Sequence, residues 1–557
     1  MKRFDFTARV LARTARGRAG PHLAIWLALA ALLAGPARAG GPTYVRSLQP
    51  LAGGLSPMPI ITNTVISTQY PIGWIGFGGP YQVEHSPSLT PAVWEPFGAP
   101  TQAKTMPVTA EGDLGFFRVQ GADPVFAGYS PCLDCHYEKF DAWAQTRHAT
   151  ALETLKQAGQ QTNAICLKCH TVGYGYAGGF KDEATTPHLA GVQCENCHGP
   201  ATDHVRNPAD KTKRPLVELS ANVCGGCHNG FHHPTLDEWN TSPHATVSER
   251  PAEDFRSTNS VARIQACGPC HSGAARVTML KNMGLSSRRQ WALPGGDYAA
   301  SVGVTCAVCH DPHGSANPAE LRNPVRSLTP FSYSTAATNS LAAQYNPELN
   351  LCGQCHNMRG ASWQTTGRYP HYSPQYNILI GNGGVETDVL PLQSEHRDTP
   401  KQCAGCHVHG HAPANPSQTD PVYKGHDFKV NYDVCLTCHD QEAVTALLGN
   451  GIRQYVDRQT TNLVAQLGTW AATKAPPALR TKYGALTWEY TVPGPLSDQT
   501  KSGPTTAEQA LVPAGIKQAR FNLYLVHQDK SRGIHNPGYV HYLLRVAEAK
   551  IRSELAP

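Results

Sequence analysis

The sequence predicts a chain built mainly of short helices and irregular loops, with a small all-β, sandwich-like domain in front and a helical region behind. Three observations predict this. Every cysteine falls inside one middle stretch, in one spacing. The stretch before it holds short alternating segments between turns, and the stretch after it holds apolar residues at helical intervals.

The cysteines decide the middle. All 18 form pairs three positions apart: Cys132 with Cys135, Cys166 with Cys169, Cys194 with Cys197, Cys224 with Cys227, Cys267 with Cys270, Cys306 with Cys309, Cys352 with Cys355, Cys403 with Cys406 and Cys435 with Cys438. A histidine follows each pair directly: His136, His170, His198, His228, His271, His310, His356, His407 and His439. Zinc ribbons need no histidine at that place, and disulfide frameworks show varied spacings. Cys-x-x-Cys-His is instead the attachment signal for a c-type haem: the thiols bond the vinyl groups and the histidine ligates the iron. Nine covalently attached c-type haems (iron) are therefore expected. Residues 128–440 then carry a haem for about every 35 residues, too few to build an ordinary core. The porphyrins must serve as the core, wrapped by short helices and Gly/Pro-rich loops.

Residues 1–39 read as a secretory signal peptide. Lys2, Arg3, Arg9, Arg13, Arg16 and Arg18 precede the apolar run Leu23–Ala34, and Ala37-Arg38-Ala39 is a small-x-small cleavage site. The apolar run is too short to span a bilayer, so no transmembrane anchor is expected. This type of haem attachment occurs outside the cytoplasmic membrane, which places the protein in a bacterial periplasm or at the cell exterior. The leader holds seven Lys/Arg and one Asp, which is all of the net charge of +6; the remainder is balanced at 40 basic and 40 acidic residues. Haem propionates then make the holoprotein acidic, and no basic stripe points to nucleic acid.

Residues 40–127 contain "ITNTVIST", "GPYQVEHS" and "GFFRVQG", alternating segments bounded by turn residues, and read as an antiparallel β domain. The run "YQVEHSPSLTPAVWEPFGAP…GFFRVQG" resembles immunoglobulin-like or fibronectin-like modules, which implies docking or spacing. In residues 441–557, Leu448, Ile452, Tyr455, Leu463, Leu467 and Trp470 recur near helical spacing. A Pro/Gly-rich loop follows, then "IKQARFNLYLVHQD" and "NPGYVHYLLRVAEAKIRSEL" as two helices. Asn536 is the expected N-cap of the last, with Pro537 at its first position.

Histidines outside the motifs are candidate distal ligands. From Tyr137 to Ala158 there is no Gly or Pro, which predicts a helix bearing His148. His148 lies twelve residues beyond His136, about 18 Å along a helix, whereas the two axial nitrogens of one iron stand only about 4 Å apart. His148 must therefore serve a haem other than that of His136. "WAQTRHAT" (Trp143–Thr150) recurs as "WNTSPHAT" (Trp239–Thr246), which gives His244 the same role. The other candidates are His204, His232 or His233, His313, His371, His396, His409 or His411, His426 and His535. Fifteen histidines remain for at most nine distal positions, and methionine is scarce, so mostly bis-histidine haems are expected.

"CLDCHYEKFDAWAQTRHATALETL", "CLKCHTVGYGYAGGF" and "LAGVQCENCHGP" together resemble the tetrahaem cytochrome c-554 family over residues 130–245. The resemblance implies a five-coordinate haem at His170, the candidate open and catalytic iron. Gly173, Gly175, Gly178 and Gly179 in the loop after it would let backbone approach that haem, with Tyr174 and Tyr176 lining a pocket. The alternative is His188 folding over the iron. "GIHNPGYVHYLL" resembles the C-terminal helices of pentahaem nitrite reductases and octahaem oxidoreductases, although no CxxCK motif is present. The expected function is electron transfer with redox partner proteins or quinol-linked donors. The alternatives are an oxidoreductase acting on a small nitrogen or sulfur compound, and a subunit of a conducting polymer joined through the β domain.

Overall fold

The computed structural model describes residues 60–65, 70–75, 80–88, 91–101, 105–108, 114–121, 123–215, 217–247, 267–282, 302–314, 317–322, 351–387, 394–399, 401–449 and 451–557, with strand segments at 8–11 and 44–45. The chain divides into two compact units, Met1–Asn229 with Pro312–Gly314, and Gly230–Asp311 with Ser315–Pro557. The first holds four of the Cys-x-x-Cys-His motifs and the second holds five.

In the first unit, "ITNTVIST", "GPYQVEHS" and "GFFRVQG" each carry a strand: Ile60–Val65, Gln82–Ser86 and Leu114–Gln120. One antiparallel sheet runs in the order Ala8–Leu11, Leu114–Gln120, Gln82–Ser86, Glu95–Pro96. The other runs Tyr44–Val45, Ile60–Val65, Tyr70–Ile75, Thr105–Val108. Residues two apart share a strand face, so Ile72 with Trp74 and Phe117 with Val119 point the same way. These four join Tyr81 and Val83 in one buried cluster drawn from both sheets. Trp74 meets Tyr81 edge-on at 5.6 Å between ring centroids. The edge strand Ala8–Leu11 falls within the stretch read as a leader, whose cleavage would remove it from the sheet.

The haem-motif helices are short. Those of the first unit include Ser130–Ala144, Ala151–Gln157, Ala164–His170, Cys194–His198 and Thr202–Arg206. The single helix expected through Tyr137–Ala158 is corrected here: it stops at Ala144 and restarts at Ala151, and His148 lies in the turn between. A local side-chain bond and a tertiary backbone bond mark the break. Thr146 Oγ1 donates to Trp143 O at 2.7 Å, and the His148 carbonyl accepts from Val192 N at 2.9 Å, which takes it out of a helical ladder. A further interruption falls at His136, with φ −122° and ψ 37°.

In the second unit, helices Gln441–Gly449, Ile452–Thr473, Ala514–Asp529 and Pro537–Leu555 form an ordinary apolar core through Leu463, Leu467, Trp470, Phe521, Leu525, Val540 and Leu544. The Pro/Gly-rich loop is anchored on this core by buried Arg520. Its guanidinium donates to Trp488 O at 2.8 Å, Glu489 O at 2.6 Å and Gln509 Oε1 at 2.9 Å, and it lies 4.0 Å over the Tyr490 ring. A charge withdrawn from water persists only when hydrogen-bonded in this way. No described helix is long and apolar enough to cross a membrane.

Asn536 caps Pro537–Leu555 as its residue type implies, its Oδ1 accepting from Tyr539 N at 3.0 Å while Nδ2 donates to Leu379 O at 3.3 Å. The residue is fully buried. Asn536→Ala therefore strands both a cap and a carbonyl and is expected to cost about 2 kcal/mol. The check is a lower melting temperature by calorimetry, with Asn536→Asp retaining the cap and losing less.

Candidate haem-binding sites

The motif histidines stand in pairs with histidines from elsewhere in the chain. In the first unit, the ring centroids of His148 and His228 are 6.1 Å apart, and so are those of His198 and His313. In the second, the separations are 6.0 Å for His244 with His356 and for His271 with His371. They are 6.3 Å for His310 with His426 and for His407 with His535, and 6.1 Å for His396 with His439. Each pair joins one motif histidine to one that belongs to no motif. Ring planes range from 19° to 86°, so no single stacking geometry explains the constant spacing. An iron does explain it, because imidazole nitrogens about 4 Å apart across a metal put ring centroids roughly 6 Å apart.

The far nitrogens agree. A carbonyl oxygen can only accept, so a ring nitrogen against one carries the proton and leaves the other nitrogen with its lone pair. Nδ1 meets a carbonyl in His310 (Ala319 O, 2.7 Å), His396 (Ile534 O, 2.7 Å) and His407 (Phe428 O, 3.0 Å). His371 Nδ1 meets Ser373 Oγ at 3.0 Å, and that hydroxyl already donates to Asn357 O. In each case Nε2 is left for a metal, the arrangement typical of ligating histidines. Burial pushes the pKa of His244, His371 and His426 down to about 4, which favours the neutral, ligating form.

The remaining candidates are placed differently. His170 Nδ1 meets Ala151 O at 2.8 Å, yet among the described residues no histidine ring stands at the paired spacing from His170 or His136. His188 is exposed, its backbone carbonyl accepting from Gln193 Nε2 at 2.9 Å and lying against Gly128. Two of the glycines after His170 serve packing: a Cβ on Gly173 would strike the Phe126 ring, and one on Gly179 the Gly173 carbonyl. Tyr174 and Tyr176 pack on the cluster of Phe126, Leu152, Leu155, Leu167, Val172, Phe180 and Leu189. His204 is half-buried, with Nδ1 enclosed and without a hydrogen-bond partner among the described residues. His232 is exposed with its ring against Phe231, and His411 is exposed and bridged through its backbone to Tyr423; neither is brought to a motif histidine.

Two features of the site escaped sequence reasoning. The first explains the repeated Trp-x4-His-Ala-Thr. Trp143 Nε1 donates to Val192 O and Trp239 Nε1 to Val304 O, both at 2.9 Å. In return Val192 N donates to His148 O at 2.9 Å, and Val304 N to His244 O at 2.8 Å. The valines stand two residues before Cys194 and Cys306, behind Gly191 and Gly303, where a Cβ would lie 2.6 Å from Ala149 O and 2.5 Å from His244 O respectively. "GVQCENCH" and "GVTCAVCH" were the sequence signal for this clamp. The second is Glu195, inside a motif. Its buried carboxylate accepts from Ala127 N (3.1 Å), Gly128 N (2.8 Å) and Ala201 N (2.7 Å), and burial raises its pKa.

The motifs also meet one another. The Cys132 and Cys194 side chains are in hydrogen-bonding contact, as are those of Cys169 and Cys227, Cys270 and Cys355, and Cys352 and Cys403. Cys309 lies within electrostatic reach of Cys352 and Cys355, and Cys406 within reach of Cys435 and Cys438. Cys197 is half-buried on the helix Cys194–His198, within electrostatic reach of Cys194 of its own motif. The third motif therefore meets the first through Cys194, while Cys197 keeps the spacing to Cys194 and His198 that one turn of helix provides.

A family model described as cytochrome c554 and c-prime matches residues 131–199. Cytochrome c-554 of Nitrosomonas europaea is 37% identical over 94 residues, covering 14% of this chain and 40% of that protein. Multiheme cytochrome MtrA of Shewanella baltica is 27% identical over 296 residues, covering 45% of this chain and 78% of that one. The chain thus spans less than half the length of the first relative and most of the second. The solved outer cell wall cytochrome OcwA superposes with a TM-score of 0.49 at 16% identity, over 76% of this chain and 99% of that one. The family model and these relatives support a multihaem c-type cytochrome.

Glu195 yields a prediction. Glu195→Gln replaces one acceptor oxygen with a donor facing backbone N–H groups, at an expected cost of about 2 kcal/mol. Local opening should then expose Ala127–Gly128, and limited proteolysis there should accelerate by more than about tenfold.

Proposed function

We propose that the chain is an exported nonahaem cytochrome that carries electrons along closely spaced, mostly bis-histidine haems. The constant ring spacing in seven histidine pairs carries this reading. In it, His148 ligates with His228, His313 with His198, His371 with His271, His426 with His310, His244 with His356, His535 with His407, and His396 with His439. His204 is the candidate for His136: it follows the helix Cys194–His198, whose Cys194 touches Cys132, and its enclosed Nδ1 has no other use. One-electron exchange is the chemistry a bound haem supplies. The chain's part is to fill both axial positions, which keeps reorganisation small, and to bring thioether cysteines of different motifs into contact.

Contact between motifs supports a transfer role over an isolated catalytic centre. Within the second unit the cysteine contacts link the fifth and sixth motifs to the seventh, the seventh to the eighth, and the eighth to the ninth. Only Cys135 and Cys438 among the 18 cysteines are exposed, and they belong to the first and last motifs. These ends are the proposed exchange points with redox proteins or quinol-linked donors. The strands before residue 121 serve as an immunoglobulin-like or fibronectin-like docking module. Export follows from the basic, apolar and small-residue leader pattern in residues 1–39.

The expected intact mass is that of a chain carrying nine haem increments. In the His148→Ala protein that count should hold while one low-spin iron becomes high-spin. A lower count in the wild type, or an unchanged spectrum in the variant, contradicts the assignment.

One observation favours a second reading, an oxidoreductase acting on a small nitrogen or sulfur compound at His170. It is the absence, among the described residues, of a ring facing that histidine. Electron paramagnetic resonance should show a high-spin iron in the wild type that responds to nitrite or hydroxylamine. A spectrum without either feature leaves electron transfer alone.

A further inference from the structure

Six histidines of the motifs and pairs rest their Nδ1 atoms on neutral acceptors. Carbonyls serve His170, His310, His396 and His407, a hydroxyl serves His371, and an amide oxygen serves His356 at 3.3 Å. His535 Nδ1 instead lies 2.6 Å from Asp529 Oδ1. The Asp529 side chain is wholly withdrawn from solvent. Its other oxygen accepts from Ser531 N at 3.3 Å and from Ser531 Oγ, so every contact it makes is with a donor, as suits an ionised carboxylate.

Nearby cations do not neutralise it. Arg532 is paired with Asp457, and Lys530 points to His527 Nε2 at 3.3 Å. The aspartate is the last residue of helix Ala514–Asp529, and the next, Lys530, turns the chain with φ +64°. The short loop from there to Asn536 returns His535 over the carboxylate. The same loop offers the Ile534 carbonyl to His396 at 2.7 Å.

We propose that Asp529 lowers the reduction potential of the haem held by Cys403, Cys406 and His407. This rests on the reading that His407 and His535 ligate one iron. A carboxylate hydrogen-bonded to the far nitrogen of an axial imidazole raises its basicity, so the ligand donates more strongly to ferric iron. A buried negative charge near the metal adds a Coulomb preference for the more positive oxidised state, and the dry surroundings strengthen it. Both effects act in one direction. This haem therefore stays oxidised where it would be reduced with a neutral acceptor at the same place, and it stands apart in potential from its two contacting neighbours in the second unit. Asp529 is a positioning residue that also sets the electronics of the ligand it holds.

The test is a spectroelectrochemical titration of the full holoprotein, with electron paramagnetic resonance to follow spin state. His535→Ala first identifies the component, as the iron that turns high-spin; if none does, the ligand reading fails and this inference with it. Asp529→Asn keeps an acceptor and removes the charge. That component should remain low-spin and rise in potential, with about a tenfold change in its oxidised-to-reduced ratio, or ~59 mV for one electron, while the other eight hold. Ser531→Ala withdraws a competing donor and leaves the carboxylate more available to His535, so the same component should fall. An unmoved component in Asp529→Asn, with His535→Ala behaving as a ligand variant, overturns the inference alone. If Asp529→Asn turns the iron high-spin, Ser531→Ala decides: a fall sustains the inference and an unchanged potential overturns it.

Discussion

The fold depends on one geometric demand: two imidazole rings about 6 Å apart, approaching a common point from opposite sides. A covalent motif supplies one ring locally, because five consecutive residues hold the thiols and the histidine together. The second ring must come from elsewhere, and most of the architecture is the means of bringing it. His313 serves the first unit from a three-residue excursion, Pro312–Gly314, of a chain otherwise assigned to the second. His535 reaches His407 from the loop between the last two helices. Segments this short and this rich in turns could not hold position through propensity or apolar burial, since isolated helices of a few residues are unstable in water. In the proposed reading, ligation and the hydrogen bonds behind it hold these segments in place.

The Trp–Val clamp shows how the demand is met twice with one device. After the first motif the order is Trp143, His148, second motif, Gly-Val, third motif, and then the fourth motif, whose His228 faces His148. After the fourth motif the order is Trp239, His244, fifth motif, Gly-Val, sixth motif, and then the seventh, whose His356 faces His244. The contacts correspond as well, the second cysteines of the second and fourth motifs meeting as do those of the fifth and seventh. Indole-to-carbonyl and amide-to-carbonyl bonds recur within 0.1 Å. Two cycles of one arrangement, sharing the fourth motif, account for this. The cycles differ at one place: the fifth motif has His371 opposite its histidine, whereas the second has no such ring among the described residues.

What the sequence made legible follows from how local each signal is. The nine motifs are complete chemical statements in five residues. The length argument that separated His148 from His136 assumed a continuous helix, which stops at Ala144; it is the pairing of His148 with His228 that now sets it apart. The N-cap at Asn536 and the two last helices were equally plain, because caps and periodicity are local. Partner choice was not. Nothing near His426 in sequence distinguishes it from His411, yet one faces His310 and the other lies exposed on a backbone bridge. The same holds for the cysteines: nothing in the sequence tells that Cys194 meets Cys132 of the first motif, and only the fold does. The glycines after His170 misled for a related reason. A small residue signals that something comes close, and at Gly173 and Gly179 it is Phe126 and the loop's own carbonyl.

The C-terminal helices show why a stretch with no motif belongs to the haem-binding machinery. Leu463, Trp470, Phe521 and Leu544 form the only sizeable conventional core among the described residues, and this rigidity serves one loop. Helix Ala514–Asp529 ends where its carboxylate meets His535, helix Pro537–Leu555 begins at a buried Asn cap, and Ile534 between them holds His396. Gln375 closes the arrangement from below, its Nε2 donating to Asp529 O at 3.3 Å while its Oε1 lies against the ring of His356. Two histidines that face motif histidines, and a side chain that braces a third, therefore depend on one helical hairpin. Rigidity matters there because an axial bond tolerates little displacement, and a loop without that support would exchange its histidine for water. A motif-free region of more than a hundred residues thus carries the rigidity that the proposed ligation of the last motifs would need.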